Sequence, residues 1–428
     1  AFDGGARAVE ARLPQTMLSS LDSWRTAGAG TPIAPLVSQV AKATRAAGQA
    51  VTADAHLSAI LNGARGRVTV SRLALAAASG ARLSAEGGSG IAYSWPGGGW
   101  RVGGIAEVAG GGLPTVRAQV TQAAVGAPLI GQAVVEAYGA GTSRLARTPV
   151  AFTARRDGMT QVTAKIDLSG PLGDGRVESL RLPIAAVWDG VSRLTVNASC
   201  APLGFERLRV SGMDLRRSSV ILCPRDGGLV RLERGMLRGG GSIGPIRLAG
   251  TLGTSPLELV SHQAQWSLAD RRFTLAGLGV RIGTAERVTR LDIATLSGAF
   301  AANGPQGSFT GAGGQIGTVP LLLSGADGQW RFARNTLSLE GALSVADSAA
   351  APRFQPLAAR GVALTLADNR IAANGTLVEP TQGVKVATVV IAHDLGTGLG
   401  HADLAVPGIS FGAQFQPDQL TKLTYGVF

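Results

Sequence analysis

The sequence predicts a mainly β protein: an elongated, curved antiparallel sheet whose apolar face forms a groove, preceded by a short helical segment. Three observations predict it. Apolar residues alternate with small or polar ones through most of the 428 residues, a period of two that puts every second side chain on one face of a strand. Asp-Gly and Xaa-Asn pairs punctuate the runs at hairpin spacing. Glycine, at 61 residues, is about double its usual ~7% share while aromatic residues are only 5%, which suits many short turns better than a thick core.

The N-terminal part, residues 1–64, is expected to be helical or mixed. Thr31-Pro32 reads as an N-cap with proline at the first helical position, and Ile33, Leu36, Val37, Val40 and Thr44 follow at helical spacing, with Lys42 and Arg45 on the polar side. Leu13 to Trp24 reads as a second helix.

Residues 65–428 are expected to form the groove. The alternation runs through Val68 and Val70, Leu73 and Leu75, Val150 and Phe152, Val162, Ala164, Ile166 and Leu168, and Leu194, Val196 and Ala198. It returns at Leu208 and Val210, Phe273 and Leu275, Leu291 and Ile293, Trp330 and Phe332, and Leu337 and Leu339. The stretch GVALTLADNRIAANGTLVEP, Gly361 to Pro380, shows the pattern most plainly: Val362, Leu364 and Leu366 share a face, Asp368-Asn369 turns the chain, and Ile371, Ala373 and Leu377 run back. Further turns are expected at Asp157-Gly158, Asp174-Gly175, Asp189-Gly190, Asp226-Gly227, Asp327-Gly328 and Arg334-Asn335. A helical insertion is read at 128–146, against which its glycines weigh.

Reactive chemistry is scarce. His393 beside Asp394, and His401 beside Asp403, read as solvated turn residues rather than acid–base or metal groups. No nucleophile elbow, phosphate loop or zinc helix occurs, and nothing in the spacing favours a carboxylate pair. GAGGQIG, Gly311 to Gly317, lacks the phosphate-loop spacing and reads as a flexible hairpin connection. No cofactor, metal or catalytic residue is expected.

The net charge of +12 would suit nucleic acid, but Arg155-Arg156, Arg216-Arg217 and Arg271-Arg272 are scattered and not interleaved with aromatics, so no nucleic-acid partner is expected. Cys200 and Cys223 lie close enough to form one disulfide, the favoured reading, or remain two buried thiols. The longest apolar run, Val386 to Ala392, is far below the ~18 residues of a spanning helix. The opening AFDGG and abrupt close LTKLTYGVF lead us to expect a piece of a longer protein.

CAPLGFERLRVSGMDLRRSSVILCP, Cys200 to Pro224, and FQPDQLTKLTYGVF, Phe415 to Phe428, resemble the YdbH family of Gram-negative envelope proteins, grouped with AsmA-like and TamB-like bridge-type lipid transport proteins. The resemblance implies a periplasmic β-groove carrying phospholipids toward the outer membrane without enzymatic chemistry. It further implies, for the full-length protein, an inner-membrane anchor and contact with a small outer-membrane lipoprotein by strand addition.

The residues expected to line the groove are Val68, Val70, Val162, Ile166, Leu194, Val196, Leu208, Val210, Leu291, Ile293, Phe332, Leu337, Leu339, Val362, Leu364, Leu366 and Ile371. The alternative is a structural or adhesive β-repeat protein of the envelope with a filled core, which would show a fixed repeat; the spacing is irregular instead.

Overall fold

The computed structural model describes residues 1–11, 30–301, 304–317, 319–394, 397–413 and 415–416. It is mainly β and antiparallel, 68% strand and 4% helical, as the alternation predicts. The chain divides into two compact units, Ala1–Gly239 and Gly240–Phe428. The boundary expected after residue 64 instead falls in a hairpin. Strands Val51–Asn62 and Arg65–Ala77 pair from Asn62 with Arg65 to Val51 with Ala77, so backbone hydrogen bonds tie the two sides together.

The first unit is a meander. Strand Phe2–Ala11 pairs with Val51–Asn62, and Arg65–Ala77, Arg82–Trp95, Gly99–Ala109 and Val116–Gln122 follow side by side. Next come Leu129–Val135, Thr148–Ala154, Thr160–Leu172 and Gly175–Trp188. The far side of Gly175–Trp188 is shared by Arg193–Val196 at one end and Ala201–Val210 at the other. Asn197 fills the gap between them: 3% exposed, its side chain accepts the Ala185 N–H at 2.7 Å and donates to the Pro183 carbonyl at 2.9 Å. A side-chain amide thus completes the ladder where no strand reaches.

Ala201–Val210 and Met213–Pro224 form a hairpin, and a disulfide joins Cys200 to Cys223 at its open end, with Cα atoms 4.0 Å apart.

The helix runs from Ala34 to Ala47, against strands Tyr138–Ala140 and Ser143–Leu145. It begins later than the sequence suggests. Ile33 is the N-cap, without a side-chain cap, and the proline in the first turn is Pro35. Leu36, Ala41 and Ala43 are buried, while Ile33 is exposed. The helix read at Leu13 to Trp24 lies outside the described residues.

The helical insertion read at 128–146 is not a helix. It contains the strands Leu129–Val135, Tyr138–Ala140 and Ser143–Leu145. Leu129, Gly131, Ala133 and Val135 alternate onto one face, and the Phe152 ring lies over Gly131, where a Cβ would come within 2.1 Å. Glycine permits that close approach and disfavours helix.

In the second unit, Ser255–Ser261 and Gln263–Ser267 both pair with Arg272–Ile282. A meander then runs through Thr289–Ala301, Gly304–Gln315, Leu321–Ala333, Thr336–Asp347, Leu357–Ala367, Arg370–Val378, Lys385–Asp394 and Gly400–Ala405. Arg334-Asn335 and Asp368-Asn369 are hairpin turns, with φ of 51° and 59°, and 47° and 61°, the left-handed pair that matches strand twist.

Asp327-Gly328 is not a turn but mid-strand, and Asp327 accepts the Gly311 N–H at 2.8 Å. GAGGQIG is likewise mostly strand, within Gly304–Gln315. Gly325 and Gly361, with φ of 59° and 57°, sit where the ladder slips by a residue, and each returns the following apolar residues to the same face.

Asp347 anchors the loop before Leu357. Its side chain is fully buried against Arg353, whose Nε donates to it at 2.6 Å, and it accepts the Ala349 and Arg353 N–H groups. The Arg353 hydrogen bond and these amides hold its carboxyl below the usual range. A folded pKa below the unfolded ~3.9 makes this contribution complete above that value and lost as pH falls through the folded pKa. Asp347→Asn is expected to speed amide exchange at Ala349 and Arg353 roughly tenfold at neutral pH, with the difference from wild type shrinking below about pH 4.

Candidate functional site

Register shows which side chains share a face, because directly paired residues in an antiparallel ladder project to the same side. In the first unit one row reads Ala55, Leu73, Ala85, Ala106, Ala118, Ala133, Val150, Ala164, Ile184, each opposite the next on adjacent strands. All are half-buried. A parallel row runs Leu75, Leu83, Val108, Val116, Val135.

The expected residues of this unit fall on the same face. Val70 opposes Leu57 and Ile91, and Ile91 opposes Val102, which alternates with Ala106 on one strand. Val68 opposes Tyr93. Val162 and Ile166 flank Ala164, opposing Ala186 and Leu182. Ala186 and Trp188 oppose Val196 and Leu194. Leu208 lies between Val177 and Leu215, 1% and 2% exposed, and Val210 opposes Met213. The six named before Leu208 are half-buried like the row, whereas Leu208 abuts the tightest packing of the unit.

In the second unit the row reads Phe273, Gly298, Gly307, Trp330, Leu339, Leu364, Ala373, Ile391, Ala402. Beside it Phe332, Leu337, Leu366 and Ile371 oppose one another in sequence, and Val362 opposes Gly341. Leu291 opposes Gly314, which leads through Leu323 to Val345 on the strand of Leu339; Ile293 opposes Ala312. All nine expected residues of this unit therefore share a face, half-buried except Leu291, which is exposed.

Part of this face is covered. Ile409, Phe411 and Phe415 pack with Phe354 on Leu357, Leu377 and Val386.

The opposite face carries the charges. Cross-strand pairs there include Arg117 with Glu107 at 2.6 Å, Arg193 with Glu233 at 2.7 Å, Arg281 with Asp292 at 2.8 Å, and Arg207 with Asp214. Hydrogen bonds from Arg207 and Arg193 hold the Asp214 and Glu233 carboxyls below their ordinary values. A hollow of 670 Å³ is lined by Lys165, Pro183 and Cys200 together with Ala133, Val150, Ala164 and Ile184 of the first row, and one of 620 Å³ by Arg272, Gln306, Gln329, Arg331 and Glu340. Smaller hollows on the apolar face are 440 Å³, lined by Trp266, Leu268, Phe273, Leu275 and Phe300, and 140 Å³ around Val70, Leu73, Ile91 and Val102.

Of the aromatic residues of this face, the sequence pointed to Phe332 alone as a groove residue. Phe273 lies 5.5 Å from Phe300 and 6.0 Å from Trp330, and Tyr93 lies 4.9 Å from Trp100. The alternation of Phe273 with Leu275 and of Trp330 with Phe332 is their signal. His393 and His401 do not converge on a shared site: His401 lies 3.9 Å from Asp403, both exposed, and His393 opposes Ile371 and Gly400. Among the described residues no group of three metal-binding side chains forms, and no helix is long and apolar enough to cross a membrane.

A family model described as YdbH-like, intermembrane phospholipid transport protein YdbH, matches residues 8–428. The chain belongs to the YdbH-like family. No curated protein and no solved structure matches it. Family membership makes phospholipid the cargo and points to the periplasm, between two membranes. The apolar rows are then the feature of the fold whose chemistry fits such a cargo.

Proposed function

We propose that the apolar face of each unit forms a groove that shelters the acyl chains of phospholipids crossing the periplasm, without enzymatic chemistry. The observation that carries this reading is the apolar row, half-buried across nine adjacent strands in the first unit and eight in the second, where Ala402 on the last strand is exposed. Exposing acyl chains to water costs about 0.8 kcal/mol per CH₂, so a two-tailed lipid meets a barrier well above ~10 kcal/mol in crossing water. A continuous apolar strip removes most of it. Rows of alanine, valine and leucine also present no strong local well, so a passenger slides rather than lodges.

The filled-core scaffold would require these rows to be covered, and along most of their length they are only half-buried. The Cys200–Cys223 disulfide suits the oxidising periplasm. For the full-length protein we extend the reading to an inner-membrane anchor and a small outer-membrane lipoprotein as partner, on the strength of family membership.

Tryptophan fluorescence tests the groove. Vesicle phospholipids brominated on their acyl chains are expected to quench Trp330 and Trp266 after transfer to the purified protein, and headgroup-labelled quenchers to act less. Quenching by neither would contradict the reading.

A further inference from the structure

Left-handed backbone favours glycine, asparagine and aspartate, yet Arg271 and Arg334 adopt it, with φ of 52° and 51°. Both end up on one rim of the second unit. Arg272, Ala299, Gln306, Arg331 and Ser338 form a cross-strand row, so the turns that follow Gln263–Ser267 and Leu321–Ala333 lie at the same end of the strands. Immediately inside that rim the apolar face is at its most aromatic, with Trp266 opposite Phe273, Phe300 60% exposed, and Trp330 donating its Nε1–H to the Ser297 carbonyl at 3.0 Å.

Arg271 itself borders the 440 Å³ hollow formed with Trp266, Phe273 and Phe300, a size ordinary for a ligand site. Arg117, Arg193, Arg207 and Arg281 of the opposite face are answered by carboxylates; among the described residues Arg271 and Arg334 have no ion-pair partner. The nearest carboxylate in sequence, Asp270, is 3.1 Å from the Ser267 hydroxyl.

We infer that Arg271 and Arg334 are headgroup stations: each guanidinium holds the phosphodiester of a phospholipid whose acyl chains lie on the aromatic and aliphatic face inside the rim. The inference rests on the acyl-groove reading and adds what that reading lacks, a means of selecting phosphate-bearing lipids over neutral ones. A guanidinium presents a planar donor fork that matches two phosphate oxygens. Exposure at a turn leaves it in water, where a headgroup would remain while the tails are sheltered.

The test uses the full chain, mixed vesicles and mass spectrometry of the lipid retained. Vesicles contain phosphatidylcholine with either phosphatidylglycerol or diacylglycerol of the same acyl chains. Wild type is expected to retain phosphatidylglycerol roughly tenfold over diacylglycerol. Arg271→Asn with Arg334→Asn gives both turns a residue they prefer, so melting temperature should hold or rise while the preference falls toward one. Arg271→Lys with Arg334→Lys, which keep charge but lose the fork, should be intermediate. An asparagine variant with the wild-type preference overturns the inference and leaves the groove standing. A wild-type chain that retains neither lipid overturns both. Inorganic phosphate that stabilises the wild type alone and displaces retained phosphatidylglycerol at millimolar concentration would assign the arginines to free phosphate and likewise overturn it.

Discussion

Leu339→Glu together with Ala373→Glu is expected to strip phospholipid from the second unit while the sheet stays folded. Both residues oppose Leu364 from either side, so the new carboxylates stand two strands apart, roughly 10 Å, and avoid the penalty of directly opposed like charges. Each side chain is half-buried, so water still reaches the carboxylate in the lipid-free protein. With acyl chains on the row it does not. Seating a carboxylate against hydrocarbon costs about 3 kcal/mol, so even one such contact lowers occupancy roughly a hundredfold. Circular dichroism should be unchanged. The matched control, Ser338→Glu with Ala372→Glu, opposes Thr365 from either side on the opposite face and should leave lipid binding intact; equal loss in both pairs would contradict a one-sided groove.

Replacing Cys200 and Cys223 by alanine is expected to lower the stability of the first unit by about 3 kcal/mol, the loop-closure value for a separation of 23 residues. For a unit of this size that is a fall in melting temperature of roughly 6–12 °C. The bond closes the hairpin that carries Leu208 and Val210, so amide exchange should rise first between Ala201 and Pro224. Wild type under reductant should match the variant. A melting temperature unmoved by either treatment would show that strand pairing alone fixes the hairpin.

The fold class and the composition of the apolar face were legible because alternation directly encodes a strand face: Val362, Leu364 and Leu366 needed no tertiary information. Four features were not legible. The alanines of the first row, Ala85, Ala106, Ala118 and Ala133, look like filler until register aligns them with Leu73 and Val150. Residues 128–146 mimic a helix because Leu129, Val134, Val135 and Tyr138 fit its period by coincidence, whereas pairing with Thr148–Ala154 decides for strand. Asp327-Gly328 has turn composition, but its glycine accommodates a close ladder rather than a reversal. The division at Gly239 and Gly240 leaves no mark in hydrophobic pattern, since strands occur on both sides of it. The family resemblance, in turn, supplied cargo and compartment, which no alternation of valine and alanine could.

Native mass spectrometry of the purified chain, with extraction and identification of whatever co-purifies, tests the groove most directly. The wild type is expected to carry several phospholipids per chain, and the Leu339→Glu, Ala373→Glu protein to lose them from the second unit. A wild-type chain that is free of lipid and refuses added phospholipid would contradict the groove and return the apolar rows to the role of scaffold.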